Sequence, residues 1–253
     1  GIDSAFTAYI CAAALGSDKV TAIMMPTRFT SQVSVDDAKE LCNKLNIKYI
    51  VHPIDDLFEK FESSISNNLG EIQFDTSDEN LQARIRATLL MYYSNKFDWL
   101  LISTGNKSEI GVGYCTLYGD TNGGKNVPGD LFKIQIYELC DYINNNREII
   151  PKNIIQRAPT AELREDQKDI DSLPPYEILD KILEVITKNG ISSDVENLKK
   201  QGIDMKTIKK VEQLYLSSEY KRRQLVQTIK VSESAFGIGR KYPVLKRINI
   251  EKL

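Results

Sequence analysis

Short apolar runs alternate with helix-like segments through the first part of the chain, and this alternation narrows the fold more than any other feature. Val20 to Met25 is an apolar run closed by Pro26, a strand candidate buried on both faces. Ile47 to Val51 and Trp99 to Ser103 are two further strand candidates. Between them lie helical patterns. Ser4 to Leu15 is apolar almost all round and meets a stop at Gly16. Val35, Ala38, Leu41, Cys42 and Leu45 recur at helical spacing, with Ser34 available as N-cap. A long helix is expected from about Glu79 to Asn95, where Thr76 and Glu79 have capping-box spacing. Strands alternating with helices imply right-handed crossovers, hence a three-layer α/β/α arrangement around an open parallel sheet.

The pattern then changes. Residues 105–128 form a Gly-rich stretch with little periodicity, and a long irregular segment after a strand is more often functional than idle. Residues near 133–147, 176–189 and 205–219 read as amphipathic helices. The tail from Lys221 is basic and mostly irregular, with Phe236 and Tyr242 as anchors. The chain reads as one domain over residues 1–253, with residues 190–253 as a helical and irregular extension.

Composition removes several classes of function. The net charge is −2, so no global basic field draws nucleic acid or an anionic membrane, and an anionic ligand must be held by local groups. No apolar stretch reaches the roughly 20 residues of a membrane span, and no signal-peptide pattern is present, so a cytoplasmic location is expected. Cys11, Cys42, Cys115 and Cys140 show no metal-ligand spacing and read as reduced structural thiols. His52 is the single histidine and sits at the end of an apolar run, so no mechanism that needs two histidines is available.

The chain opens Gly1-Ile2-Asp3-Ser4 and runs straight into a helix. Backbone amides at a helix start hold anions, Gly allows close approach, Ser4 offers a hydroxyl and Asp3 a carboxylate for Mg²⁺. The same residues also suit plain helix capping. Further along stand Met25-Pro26-Thr27-Arg28-Phe29-Thr30-Ser31, Asn80-Leu81-Gln82-Ala83-Arg84-Ile85-Arg86, Thr104-Gly105-Asn106-Lys107-Ser108-Glu109, Tyr118-Gly119-Asp120, Pro159-Thr160-Ala161-Glu162-Leu163, Leu173-Pro174-Pro175-Tyr176 and Glu219-Tyr220-Lys221-Arg222-Arg223-Gln224.

Together, and in this order, these segments resemble the NAD synthetase family of the ATP pyrophosphatases. The opening resembles the end of that superfamily's SGGxDS loop. The resemblance implies an adenine nucleotide alpha hydrolase-like sheet, whose first strand, with the Ser and Gly that follow it, would be missing from this chain. It also implies ATP-dependent amidation of deamido-NAD to NAD through an adenylate, with release of AMP and pyrophosphate. By resemblance, Gly1, Ile2, Asp3, Ser4, Thr104, Lys133 and Thr160 contact ATP, with Asp3, Lys133 and Thr160 catalytic. Asp3 and Glu109 are the expected Mg²⁺ ligands. Asn80, Arg84, Glu109, Asp120 and Lys221 are expected at deamido-NAD.

The ammonia-dependent branch commonly has a lysine before its YGD segment, whereas Leu117 stands here. That departure favours the glutamine-dependent branch, whose nitrogen comes from an upstream glutaminase domain. The family also implies a homodimer. Two alternatives stand beside this reading: another ATP pyrophosphatase of the amidating type, and an inactive nucleotide-binding fragment.

Overall fold

The computed structural model describes residues 1–237 and 243–244. In chain order the elements are α1 (Ile2–Leu15), β1 (Thr21–Met24), α2 (Gln32–Leu45), β2 (Lys48–Val51), α3 (Asp55–Leu69), α4 (Thr76–Phe97), β3 (Ile102–Ser103), α5 (Lys107–Val112), β4 (Lys125–Asn126), α6 (Lys133–Ile143), α7 (Lys152–Gln156), α8 (Tyr176–Asn189), α9 (Val195–Lys200), α10 (Met205–Ser217) and α11 (Glu219–Arg222). The expected α/β alternation and parallel pairing are present. β1 pairs with β2 through Ile23 and Ile50, and β3 pairs with β4 through Ile102 and Lys125, both in parallel. Among the described residues the two pairs are not hydrogen-bonded to each other. All four positions of β1 are only half-buried, so it does not show the two covered faces its apolar run suggested.

Local chemistry sets the helix ends. α1 stops where Gly16 takes a positive φ of 97°, and α8 stops likewise at Gly190. α2 is capped by Ser31, which accepts from the Ser34 amide, so the cap lies three residues before the expected Ser34. α4 is capped by Asp75, with Asp78 completing the box, one residue ahead of the expected Thr76 and Glu79. The strand expected from Trp99 begins only at Ile102. Asp98 turns left-handed at the end of α4 and the Trp99 amide still bonds to Ser94, which holds this segment in the helix cap.

Before residue 190, α3, α5, β4 and α7 are not legible in the sequence. α3 carries Phe58 into a small core with Ile54 and Ile85. α5 and β4 interrupt the Gly-rich stretch. Helical spacing puts Ile85, Leu89 and Tyr92 on one apolar face of α4, yet Tyr92 is 61% exposed whereas Ile85 is buried.

The largest core joins α5, α8 and α10, with Leu183, Val211 and Tyr215 at its centre. Residues beyond 190 contribute Leu198, Ile203 and Phe236 to it, so the extension is packed into the body of the protein. Phe236 is buried as expected, and Tyr242 lies outside the described residues. A second core packs α1 against α6 and α7 through Phe6, Ile136 and Ile154. These two cores set the first turns of α1, α5 and α6 beside one another. Among the described residues no helix is long and apolar enough to cross a membrane.

Candidate functional site

Three segments far apart in sequence meet where those helices start. Asp3, in the first turn of α1, receives Lys133 Nζ at 2.6 Å on Oδ2 and Asn106 Nδ2 at 2.9 Å on Oδ1. Glu109 Oε1 lies 3.4 Å from the same Lys133 Nζ. Asn106 explains the aim of Glu109. Its Oδ1 accepts from the Glu109 amide at 3.0 Å, and Glu109 Oε2 accepts from the Asn106 amide at 3.3 Å. This reciprocal cap fixes Glu109 in the first turn of α5 and leaves Oε1 facing the lysine. Lys133 opens α6, with its ammonium 5.2 Å from the Tyr176 ring centre. The Tyr176 hydroxyl donates to Asp169 at 2.7 Å.

The lysine is 3% exposed, while Asp3 and Glu109 keep 17% and 19% of their side chains open to solvent. Burial, then the neighbouring Asp3, pushes Glu109 up, to about 8, with Lys133 opposing. Burial alone would lower Lys133, but Glu109 and Asp3 outweigh it and raise the ammonium well above its ordinary value. Asp3 and Glu109 converge on one ammonium, and burial still penalises the ionisation of Glu109, so the site is short of positive charge. Mg²⁺ takes one or two protein carboxylates and completes its shell with phosphate oxygens and water, and Asp3 with Glu109 fits that need. Among the described residues no group of three or more His, Cys, Asp or Glu forms a self-sufficient metal cage.

Ile2 is buried beneath the first turn of α1. The Gly1 carbonyl accepts from the Ala5 amide at 3.1 Å and from the Ser4 hydroxyl at 2.9 Å. Thr160 lies outside the acid–lysine contacts, with Oγ1 accepting from the Glu162 amide at 3.2 Å. Its loop is tied to the start of α2, where Arg157 donates to Ser34 at 2.6 Å and Ser31 at 2.8 Å. The Gly1 end of α1 is within electrostatic range of Glu162 and Arg157 as well as Asp3 and Lys133, so this loop faces the same end of the molecule. Thr104 is half-buried just past β3, two residues before Asn106.

Asn80, Arg84, Asp120 and Lys221 gather around residues 113–120. Thr116 donates its hydroxyl to Asn80 at 2.6 Å and its amide to Asp120 at 2.8 Å. Arg84 Nε donates to the Leu117 carbonyl at 3.2 Å, and Lys221 holds the Gly113 and Cys115 carbonyls, each at 2.7 Å. These four side chains shape one loop, which joins the acid–lysine cluster through α5. Asn80 and Arg84 share a helix face, as their spacing requires. Tyr118 in this loop has a positive φ of 63°, is exposed, and its hydroxyl donates to Gln224 at 2.9 Å. His52 is bonded to Tyr93 at 2.8 Å, away from both groups.

Asn106, Asp169, Tyr176 and Asp180 were not singled out as site residues from the sequence. Asn106 and Glu109 do carry a legible signal, since their spacing is that of a capping box. The other three stand on a loop and a helix whose proximity to Lys133 no local spacing encodes.

A parallel α/β scaffold here sets a lysine and two carboxylates at converging helix starts, a geometry chemically suited to a metal-bound polyphosphate. Comparison with known proteins narrows this. The NAD synthase family model matches residues 1–225, and the chain belongs to that family. The glutamine-dependent NAD(+) synthetase of Acinetobacter baylyi is 46% identical over 248 residues, covering 97% of this chain and 45% of that protein. A solved glutamine-dependent NAD+ synthetase from Acinetobacter baumannii, in complex with adenosine diphosphate, is 39% identical, with a TM-score of 0.61 over 96% of this chain and 44% of that one. The structure of NMN synthetase from Francisella tularensis is 27% identical, with a TM-score of 0.71 over 91% of this chain and 86% of that one. The chain spans less than half the length of the curated relatives it matches, 43% and 45% of two of them.

Proposed function

We propose that the chain carries out the ATP-dependent amidation of deamido-NAD to NAD. The observation that carries this reading is the Lys133 ammonium held between Asp3 and Glu109, in a chain of the NAD synthase family. In the first step a carboxylate oxygen of the nicotinic acid attacks the α phosphorus of ATP. The bond to the bridging oxygen breaks and pyrophosphate leaves. In the second step ammonia attacks the acyl carbon, AMP departs with the carboxyl oxygen, and the nitrogen loses a proton to leave the amide. Both steps build negative charge on phosphate or carbonyl oxygens, so fixed cations lower the barrier more than proton shuttling does.

Lys133 is placed to meet the polyphosphate as a buried point charge that needs no reorganisation. Asp3 and Glu109 would hold Mg²⁺, which supplies Lewis-acid neutralisation of the departing pyrophosphate. Gly1, Ile2 and Ser4 present backbone and hydroxyl groups at the start of α1, and Thr104 and Thr160 extend the ATP surface from β3 and the 157–162 loop. Asn80, Arg84, Asp120 and Lys221 frame the dinucleotide, with Glu109 shared between the two substrates. The nitrogen comes from free ammonia or from a glutaminase domain, and the assembly is a homodimer.

The test is release of pyrophosphate from ATP with ammonium chloride and either deamido-NAD or nicotinic acid mononucleotide. Deamido-NAD is expected to drive release, and Asp3→Ala or Glu109→Ala is expected to abolish it without loss of helical circular dichroism. Release driven by the mononucleotide alone would transfer the chain to the chemistry named for its Francisella relative. Unchanged turnover in either variant removes that carboxylate from the mechanism.

A further inference from the structure

Lys133 owes its position to groups that never reach the substrate side of the site. Its backbone amide donates to Ser108 Oγ at 2.9 Å, and Ser108 passes its own hydroxyl hydrogen to Asp180 Oδ1. The other oxygen of Asp180 accepts from the Ile134 amide at 3.0 Å. One carboxylate thus receives the first two amides of α6, one directly and one through the serine. Phe132, the residue before α6, has no capping side chain of its own to do this. Ser108 is fully buried and Asp180 is 7% exposed, so water does not substitute for either. Ser108 also immediately precedes Glu109 on α5. The same three-membered relay therefore fixes the start of α6, which carries Lys133, against the start of α5, which carries Glu109. Asp180 lies on α8, inside the largest core, and so is rigidly mounted.

We propose that Asp180, acting through Ser108, is the positioning residue that sets Lys133 and Glu109 at their working separation. The proposal rests on the reading of Lys133 as a phosphate contact. Loss of the relay frees the first turn of α6 and lets the lysine drift. A displacement of about 1 Å at a reacting centre costs on the order of 10²-fold in rate. Substrate binding elsewhere on the chain is untouched, so kcat falls while KM for ATP stays within about threefold.

The experiment compares the chain with Asp180→Asn, Ser108→Ala and Lys133→Met by pyrophosphate release, alongside NMR hydrogen exchange of the Lys133 amide. Asp180→Asn is expected to lose roughly 10- to 100-fold in kcat, and Ser108→Ala a smaller factor in the same direction. Both should speed exchange of the Lys133 amide. In Asp180→Asn/Lys133→Met no further loss is expected beyond Lys133→Met alone, because the first change acts through the second residue. If Asp180→Asn does not fold, Ser108→Ala decides by the same readouts. Full kcat in the folded relay variants while Lys133→Met is inactive overturns the proposal. Normal turnover in Lys133→Met overturns the reading of Lys133 instead. If the parent chain releases no pyrophosphate, the exchange measurement stands alone, and unchanged protection of the Lys133 amide in both relay variants overturns the positioning role.

Discussion

Asp130 is where the joint between the two site helices is most open to attack. Its carboxylate is fully buried and accepts from Lys107 Nζ at 2.7 Å, Ser232 Oγ at 2.7 Å, the Ser232 amide at 2.6 Å and the Val231 amide at 2.8 Å. Lys107, 2% exposed, opens α5 two residues before Glu109, and Asp130 stands three residues before Lys133. Asp130→Ala leaves the Lys107 ammonium buried without its counter-charge and removes the acceptor of the 231–232 segment. Breaking a buried pair from one side costs about 3–5 kcal/mol. At about 2–4 °C per kcal/mol for a chain of this size, Tm falls by roughly 6–20 °C. Lys107→Met is different. Asp130 keeps its three donors from Val231 and Ser232, and the thioether lands between the Phe132 and Phe236 rings, which now lie 5.0 and 6.0 Å from the ammonium. That variant should lose only about 1–3 kcal/mol.

Combining the two changes strands no charge, so the double variant should be more stable than the sum of the single losses predicts. Acid unfolding supplies the sign. Burial would raise Asp130, but Lys107 and the donors of Ser232 and Val231 outweigh it and hold the carboxyl below its ordinary value. Its contribution is therefore present at neutral pH and is lost as pH falls through that lowered value, a loss Asp130→Ala cannot show. Urea unfolding followed by circular dichroism measures all of this. A Lys107→Met loss as large as that of Asp130→Ala, or strict additivity in the double variant, refutes the ion-pair reasoning.

Asp180 should behave with the opposite sign. Burial pushes it up from 3.8 to about 6, against the donors of Ser108 and Ile134 and the charge of Lys133. Stability from this group is full below its ordinary value and is lost as pH rises through about 6, an upper figure near 3 kcal/mol at about 1.4 kcal/mol per pH unit. Asp180→Asn should lack that decline between about pH 4 and pH 7, and parallel stability profiles for parent and variant would falsify the assignment. Gly113→Ala should cost about 2–3 kcal/mol in urea unfolding. Its φ is 69°, and a Cβ there would lie 2.2 Å from Ser218 Oγ, beside the carbonyl that Lys221 holds. A loss within about 0.5 kcal/mol would mean Ser218 moves freely. Lys133→Met should reduce pyrophosphate release by about 10²–10³-fold, the scale of removing one preorganised charge-stabilising group, and release within about threefold of the parent would count against it.

How far the sequence could be read depended on whether the deciding interaction was local. α8 was bounded correctly because Pro174-Pro175 and Gly190 punctuate it within the chain itself. The start of α2 was misjudged because Ser31 and Ser34 are equally good caps by composition. Ser31 accepts the Ser34 amide, while Arg157 and Glu162, over a hundred positions away, bind both hydroxyls. Helical period alone puts Tyr92 on the face of Ile85 and Leu89, and period does not say how far along that face the covering residues reach.

The site divides along the same line. Asp3 and Lys133 are 130 residues apart and Glu109 stands 24 from the lysine, so no spacing rule joins them. They were named together only because the motifs around them resemble one family. A resemblance of that kind points to groups that face a substrate. It says little about a buried carboxylate such as Asp180, 72 residues from the serine it grips, whose work is to hold backbone amides in place. What joins these residues is the parallel layout, in which successive crossovers bring helix starts to one end of the molecule. Each of those starts leaves backbone donors needing an acceptor. At α5 the acceptor is Asn106, and at α6 it is Asp180 with Ser108. Held in this way, the two starts carry Glu109 and Lys133 to within reach of Asp3 in the first turn of α1.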